Sequence, residues 1–161
     1  MKKRHGKVFR IYVDTSVIGG YYDDEFSLDT RRLFKAVEIK QLVLLVSPVV
    51  IDELKPAPKE VRDLLETLPA SAVELLSENK EALQLANNYI DAKVIPASSR
   101  ADATHVAYAT ISRADAIVSW NFHDIVRLDR IKGFNQVNFQ NGYGVIHILS
   151  PKEVFTNEKE I

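Results

Sequence analysis

Three acids in this chain follow short apolar runs or open a helix pattern, and together they have the chemistry of a site for a hard divalent cation. Asp14 stands directly after Val8–Val13 (VFRIYV). An aspartate there can close an ordinary turn through its own side chain. The carboxyl end of a buried strand is also where α/β proteins put ligand-binding groups. Glu53 lies on the short helix that leaves Gln41–Val46 (QLVLLV), and its neighbours three and four residues back are Val50 and Val49. That spacing leans it inward, with Asp52 turned about 100° away; a surface glutamate with partly apolar neighbours fits the same spacing. Asp102 follows Ser99 in a Ser-x-x-Asp pattern, which is also a capping box, and the helix dipole favours an acid in a first turn. Ala101, Ala103, Val106, Ala107 and Ala109 make the rest of that helix small and apolar, so Asp102 sits at the margin of a closely packed face.

A fourth polar segment, Ser119-Trp120-Asn121-Phe122-His123-Asp124, follows the short apolar run Ala116–Val118. Its polar side chains arrive at the same sheet edge. Trp120 and Phe122 read as packing residues rather than a platform for bases. His105 and His123 are isolated histidines, read as structural or solvent-facing and given no ligand role.

The elements that carry these residues alternate. The runs Val8–Val13 and Gln41–Val46 suit buried strands of a parallel sheet. Ala72–Leu76 is a possible strand, and Ala116–Val118 and Val145–Leu149 complete the set. Between them fall helices at Leu28–Ile39, Val49–Leu54 (capped by Ser47 with Pro48 behind it), Pro58–Leu68, Ser77–Ile90 and from Ser98 or Ser99 to Arg113, and another containing Ile125, Val126 and Leu128. Tyr21–Glu25 reads as an acidic loop. Strands separated by helices predict a parallel α/β sheet covered on both faces.

Composition limits the alternatives. At 161 residues and 46% hydrophobic, the chain reads as a single domain over 1–161 with its core at about 8–149. The net charge of −1 provides no broad basic surface, so any nucleic acid must be handled at a local site. There are no cysteines and only four histidines, which directs any metal to oxygen ligands. No apolar stretch is long enough to span a membrane and no signal-peptide core follows the basic N-terminus, so a soluble cytoplasmic protein is expected. Ser16 stands where a dehalogenase-like phosphatase needs a second Asp, no acidic pair precedes Asp14 as a receiver domain requires, and Gly-rich phosphate loops are absent.

The chain resembles the PIN-domain nucleases, the family that includes the toxin ribonucleases of bacterial and archaeal toxin–antitoxin pairs. The resemblance runs from Tyr12 to about Ile148. It rests on Val13-Asp14-Thr15-Ser16, Val50-Ile51-Asp52-Glu53-Leu54, Arg100-Ala101-Asp102-Ala103-Thr104-His105-Val106-Ala107 and Ser119-x-Asn121-x-x-Asp124-Ile125. It implies a PIN-like three-layer sandwich, a mostly parallel sheet with helices on both faces. It further implies that Asp14, Glu53 and Asp102 bind Mg²⁺ or Mn²⁺. Many members carry Asp where this chain has Asn121, and some use the acid three residues on, here Asp124. The implied metal set is therefore Asp14, Glu53, Asp102 and Asp124, with Asn121 in the catalytic group. Thr15 or Ser16 would orient Asp14, and Ser119 would support the site.

The expected function is metal-dependent endoribonuclease hydrolysis of RNA phosphodiesters, as a homodimer and with an antitoxin protein as possible partner. The rival expectation is a PIN-like scaffold of little or no activity that binds protein or RNA, for which Asn121 is the supporting feature.

Overall fold

A computed structural model describes residues 7–155. Five parallel strands form one sheet: β1 (Phe9–Val13), β2 (Leu42–Val46), β3 (Val73–Leu75), β4 (Ala116–Val118) and β5 (Ile148–Leu149). Their spatial order is β3-β2-β1-β4-β5. From β1 the chain winds outward through β2 to β3, then returns to the other side of β1 for β4 and β5. The winding therefore reverses between β1 and β4, and the carboxyl ends of those two strands flank the crevice where open α/β sheets bind ligands.

Alternation along the strands divides the core into two layers. Ile11 and Val13 of β1 face the layer made by α1 (Thr15–Gly20), α2 (Ser27–Glu38), α3 (Pro48–Leu54), α4 (Lys59–Arg62) and α8 (Pro151–Val154). Tyr12 between them faces the layer made by α5 (Lys80–Asp91), α6 (Arg100–Ile111) and α7 (Leu128–Gln140). This is the α/β sandwich expected from the sequence. Small residues let α6 sink deep: every residue from Ala103 to Thr110 is buried, against Ala82, Leu85, Ala86 and Tyr89 of α5.

Several expected boundaries differ. Residues 15–20 form helix α1, an element the sequence pattern did not assign. A Cβ at Gly20 would stand 2.9 Å from the Trp120 ring. The glycine therefore serves a close helix-to-ring contact. The expected helix 58–68 is split into α4 and a 3-10 turn, Leu64–Thr67. The fifth helix starts at Lys80, not Ser77, because Asn79 caps the amides of Glu81 and Ala82. Of the expected strand 145–149, only Ile148–Leu149 is paired as β5, and Val145 is exposed.

Helices α2, α5 and α6 each end on a left-handed residue, and each is a cation: Lys40 (φ 63°), Lys93 (φ 61°) and Arg113 (φ 56°). Glycine is the usual occupant of that position; a cation there instead faces the negative end of the helix dipole.

Candidate functional site

Asp14 caps α1 at the carboxyl end of β1, and it is 3% exposed. Ser16 Oγ donates to its Oδ1 at 2.6 Å, and Ser119 Oγ, just past β4, donates to its Oδ2 at 2.6 Å. The Val17 amide lies 3.4 Å from Oδ1. Burial pushes this carboxyl's pKa up, against the opposing pull of nearby His105 and of these hydrogen bonds. Asp14 thus makes the turn expected of an ordinary Asx residue and also lies at the crevice.

Glu53 reaches the same place from α3. Its side chain is 38% exposed, yet its Oε1 accepts from Thr15 Oγ1 at 2.7 Å and from His105 Nε2 at 2.6 Å. Thr15 therefore serves Glu53, and Ser16 alone of the pair serves Asp14. The His105 hydrogen bond holds the Glu53 pKa below the usual carboxylate range, with burial opposing it and Thr15 assisting.

His105 is 2% exposed and continues inward: its Nδ1 is 2.7 Å from Tyr12 Oη, which is 2.6 Å from Ser47 Oγ. A carboxylate can only accept, so Nε2 carries the proton. In the tautomer that leaves Nδ1 bare, this nitrogen accepts from the Tyr12 hydroxyl, and Ser47 donates to Tyr12. Burial pushes the Tyr12 hydroxyl pKa upward, which keeps it a donor. His105 is thus structural, one of the two alternatives its sequence context left open, and its bond to Glu53 is what the sequence did not show. The signal was its position three residues after Asp102, on the same helical face.

Asp102, in the first turn of α6, is half-buried. Burial pushes its carboxyl up to about 6; His105 offsets part of this, while Asp124, Asp14 and Glu53 add to it. Its carboxylate has no hydrogen-bond or ion-pair partner among the described residues. The capping box suggested by Ser99-x-x-Asp102 does not form: Ser99 makes no cap, and its hydroxyl instead stands 3.5 Å from Asp124 Oδ1.

Asp124 is not in a helix. The Asn121 carbonyl accepts from the Ile125 and Val126 amides at 3.1 and 2.9 Å, and the Asn121 side chain accepts from the Asp124 amide at 2.9 Å. This closes a turn, so α7 starts only at Leu128, and the expected helix through Ile125 and Val126 is corrected. Burial tends to raise the Asp124 pKa, but His123, Asn121 and Arg130 together bring it below the usual range. Trp120 is packed, stacked on Phe26 at 4.3 Å, whereas Phe122 is half-exposed.

The four carboxylates thus converge electrostatically on one edge of the sheet, three of them already held by donors. Their chemistry suits a hard cation. Their present arrangement is not a ligand cage: among the described residues, no group of three or more Asp, Glu or His side chains is arranged to hold a metal ion.

No protein-family model matches the sequence, and no curated protein sequence matches it. Solved structures do. FitAcB from Neisseria gonorrhoeae aligns with 88% of this chain and 98% of its own, at 13% identity and a TM-score of 0.54. The fold is PIN-like. The VapC20 toxin of Mycobacterium tuberculosis, which cleaves the sarcin–ricin loop, aligns over 85% of this chain and 98% of its own at 16% identity, with a TM-score of 0.49. Tyrosyl-tRNA synthetase from Aeropyrum pernix aligns over 89% of this chain but only 53% of its own, at 13% identity and a TM-score of 0.50. A PIN-like sheet and part of a synthetase meeting at one level of likeness identify an architecture; chemistry must be argued from the side chains. Among the described residues, no helix is long and apolar enough to cross a membrane.

Proposed function

We propose that this protein is a metal-dependent endoribonuclease, with Asp14, Glu53, Asp102 and Asp124 as the groups that hold Mg²⁺ or Mn²⁺ and Asn121 as a supporting hydrogen-bonding residue. The observation that carries this reading is Asp102: a half-buried carboxyl pushed up to about 6, without a partner among the described residues and with Asp124, Asp14 and Glu53 all adding to its burden. Such crowding is costly for a fold and is relieved by a cation.

When bound, the ion supplies Lewis acidity toward a phosphodiester and lowers the pKa of a water. The chain's own residues do the rest. Ser16 and Ser119 fix both oxygens of Asp14. His105 and Thr15 keep Glu53 ionised and turned to the crevice. Asn121 holds the turn that aims Asp124. RNA as substrate and a small protein antitoxin as partner are inferences from the family resemblance, as is a homodimer.

The experiment is cleavage of structured RNAs by the full chain with Mn²⁺, with and without EDTA. EDTA-sensitive cleavage supports the reading, and no cleavage at any metal concentration overturns it. One observation favours the rival, a binding scaffold without activity: three of the four acids are tied to protein donors, and the group is not arranged as a cage among the described residues. For that protein, Mn²⁺ would leave the melting temperature unchanged, whereas a working site raises it with metal concentration.

A further inference from the structure

α5 ends at Asp91, and the chain leaves it through Lys93 and Pro96 into the 3-10 turn Ala97–Ser99. Between this connection and the start of α7 lies a cleft of about 410 Å³ whose lining includes Lys93, Arg127, Arg130 and Asp129. Three cations therefore face it against one acid. Arg127 is held by Asp129 through two contacts of 2.6 and 2.7 Å, and donates to the His123 carbonyl at 3.0 Å. Arg130 is 9% exposed; it donates to the Asp124 carbonyl at 3.3 Å and stands 3.6 Å from Asp124 Oδ1. Lys93 is exposed, and its ammonium has no partner among the described residues.

The cleft adjoins the carboxylate group. Asp124 meets Arg130 from the cleft, while its charge acts on Asp102 within the group. Ser99, at the end of the turn that borders the cleft, stands 3.5 Å from Asp124. A site built of carboxylates repels a polyanion, and a chain of net charge −1 has no general attraction to offset this. A bound strand needs cations placed locally, beside the acids.

We infer that this cleft takes a backbone phosphate of the RNA strand, adjacent to the one cleaved. Lys93 is its mobile point-charge contact, and Arg127 and Arg130 are its fixed walls. The inference rests on the nuclease reading for its substrate, but binding can be measured without cleavage.

The test is fluorescence anisotropy of a labelled single-stranded RNA oligonucleotide with the full chain in EDTA, across a KCl series, for wild type, Lys93→Ala, Lys93→Glu and Lys93→Arg. Loss of one phosphate contact lowers the slope of log K against log salt by about 0.7 for a single strand, equally for different sequences. The expected result is that lowered slope in Lys93→Ala, weaker binding still in Lys93→Glu, recovery in Lys93→Arg, and unchanged melting temperatures. Wild-type affinity and slope in all three variants overturn the inference. So does displacement of the RNA by an acidic peptide of equal charge at equal concentration, which makes the cleft a site for an acidic protein segment. Cleavage with Mn²⁺ separates the two readings. A cleaving protein whose KM is unmoved by Lys93→Glu keeps its nuclease assignment and loses this one. A protein that never cleaves but loses RNA binding in Lys93→Glu keeps the phosphate cleft and loses the nuclease.

Discussion

Glu53 Oε1 accepts from His105 Nε2 at 2.6 Å, joining α3 to α6 across the carboxyl edge of the sheet. Behind that bond, Tyr12 and Ser47 complete a buried line of polar groups, each within 2.7 Å of the next. Removing a member leaves a buried donor or acceptor unsatisfied, which costs about 1–3 kcal/mol. His105→Ala is expected to lose at least that much in urea unfolding and to free Glu53, so cleavage falls as well. Tyr12→Phe, which removes only the hydroxyl, is expected to lose stability with a smaller fall in activity. Wild-type stability in both variants would show the line to be dispensable.

For Asp14→Asn, stability and activity are expected to part. Both carboxylate oxygens accept from serine hydroxyls, and a hydroxyl can rotate to accept from an amide. The variant keeps its bonds and sheds a buried charge among like charges. It should fold as stably as wild type or more so in EDTA, with RNA cleavage abolished. Undiminished EDTA-sensitive cleavage would remove Asp14 from the metal group.

The sign of the pH dependence follows from Asp102. Its carboxyl binds a proton more tightly in the folded chain, at about 6, than in the unfolded one, near the ordinary value of about 4. The metal-free protein therefore loses stability from this group as pH rises from about 4 through about 6, by at most one proton's slope of about 1.4 kcal/mol per pH unit. Asp14, Glu53 and Asp124 surround it and titrate as well, so the quantity to measure is the wild-type stability curve minus that of Asp102→Asn. That difference should fall over this range and flatten above it; a flat difference throughout would remove the shift.

Gly20→Ala tests the contact between α1 and the turn after β4. A Cβ at Gly20 meets the Trp120 ring at 2.9 Å, and that ring is fixed by Phe26 and by a 2.8 Å hydrogen bond from Nε1 to Thr30 Oγ1. Overpacking of this kind costs about 1–3 kcal/mol. The Trp120 amide also donates to Ser16 Oγ, which orients Asp14. Cleavage should fall together with thermal stability, and a variant that melts like wild type would mean that the ring moves aside freely.

The strands of the sheet were legible because nearly all-apolar runs such as Phe9–Val13 and Leu42–Val46 fit a sheet buried on both faces. α1 was not, since the two glycines at its end carry a breaker signal and the reason for Gly20 is a tryptophan a hundred residues away. The acids were readable from their positions after strands and at a helix start. Their holders were not: that Thr15 serves Glu53, that Ser99 turns to Asp124, and that His105 bridges Tyr12 and Glu53 are tertiary contacts without a local pattern. Asp124 illustrates the limit of helix-start signals, because the carbonyl and side chain of Asn121 capture the amides that would have begun the helix there.

That turn sets the last prediction. Asn121 and Asp124 are two candidates for completing a metal site, and they are bonded to each other: the Asn121 side chain accepts from the Asp124 amide at 2.9 Å, and its Nδ2 lies 3.5 Å from Asp124 Oδ2. An aspartate at 121 could still accept from the Asp124 amide, so Asn121→Asp should keep the turn. It would lose the donor to Asp124 and bring a further negative charge to the crevice. Metal-free, that charge adds to the crowding around Asp102 and should lower stability; with Mn²⁺, it should tighten metal binding. Asp124→Asn takes charge away and also weakens the anchor of Arg130, 3.6 Å from Oδ1. Mg²⁺ commonly keeps several waters and does not require a fourth charged ligand, so this variant should lose activity by more than it loses metal affinity. Mn²⁺ titration and cleavage rates for both variants decide it. If Asp124→Asn changes neither, Asp124 serves only the turn and its arginine, and the candidate site has three carboxylates.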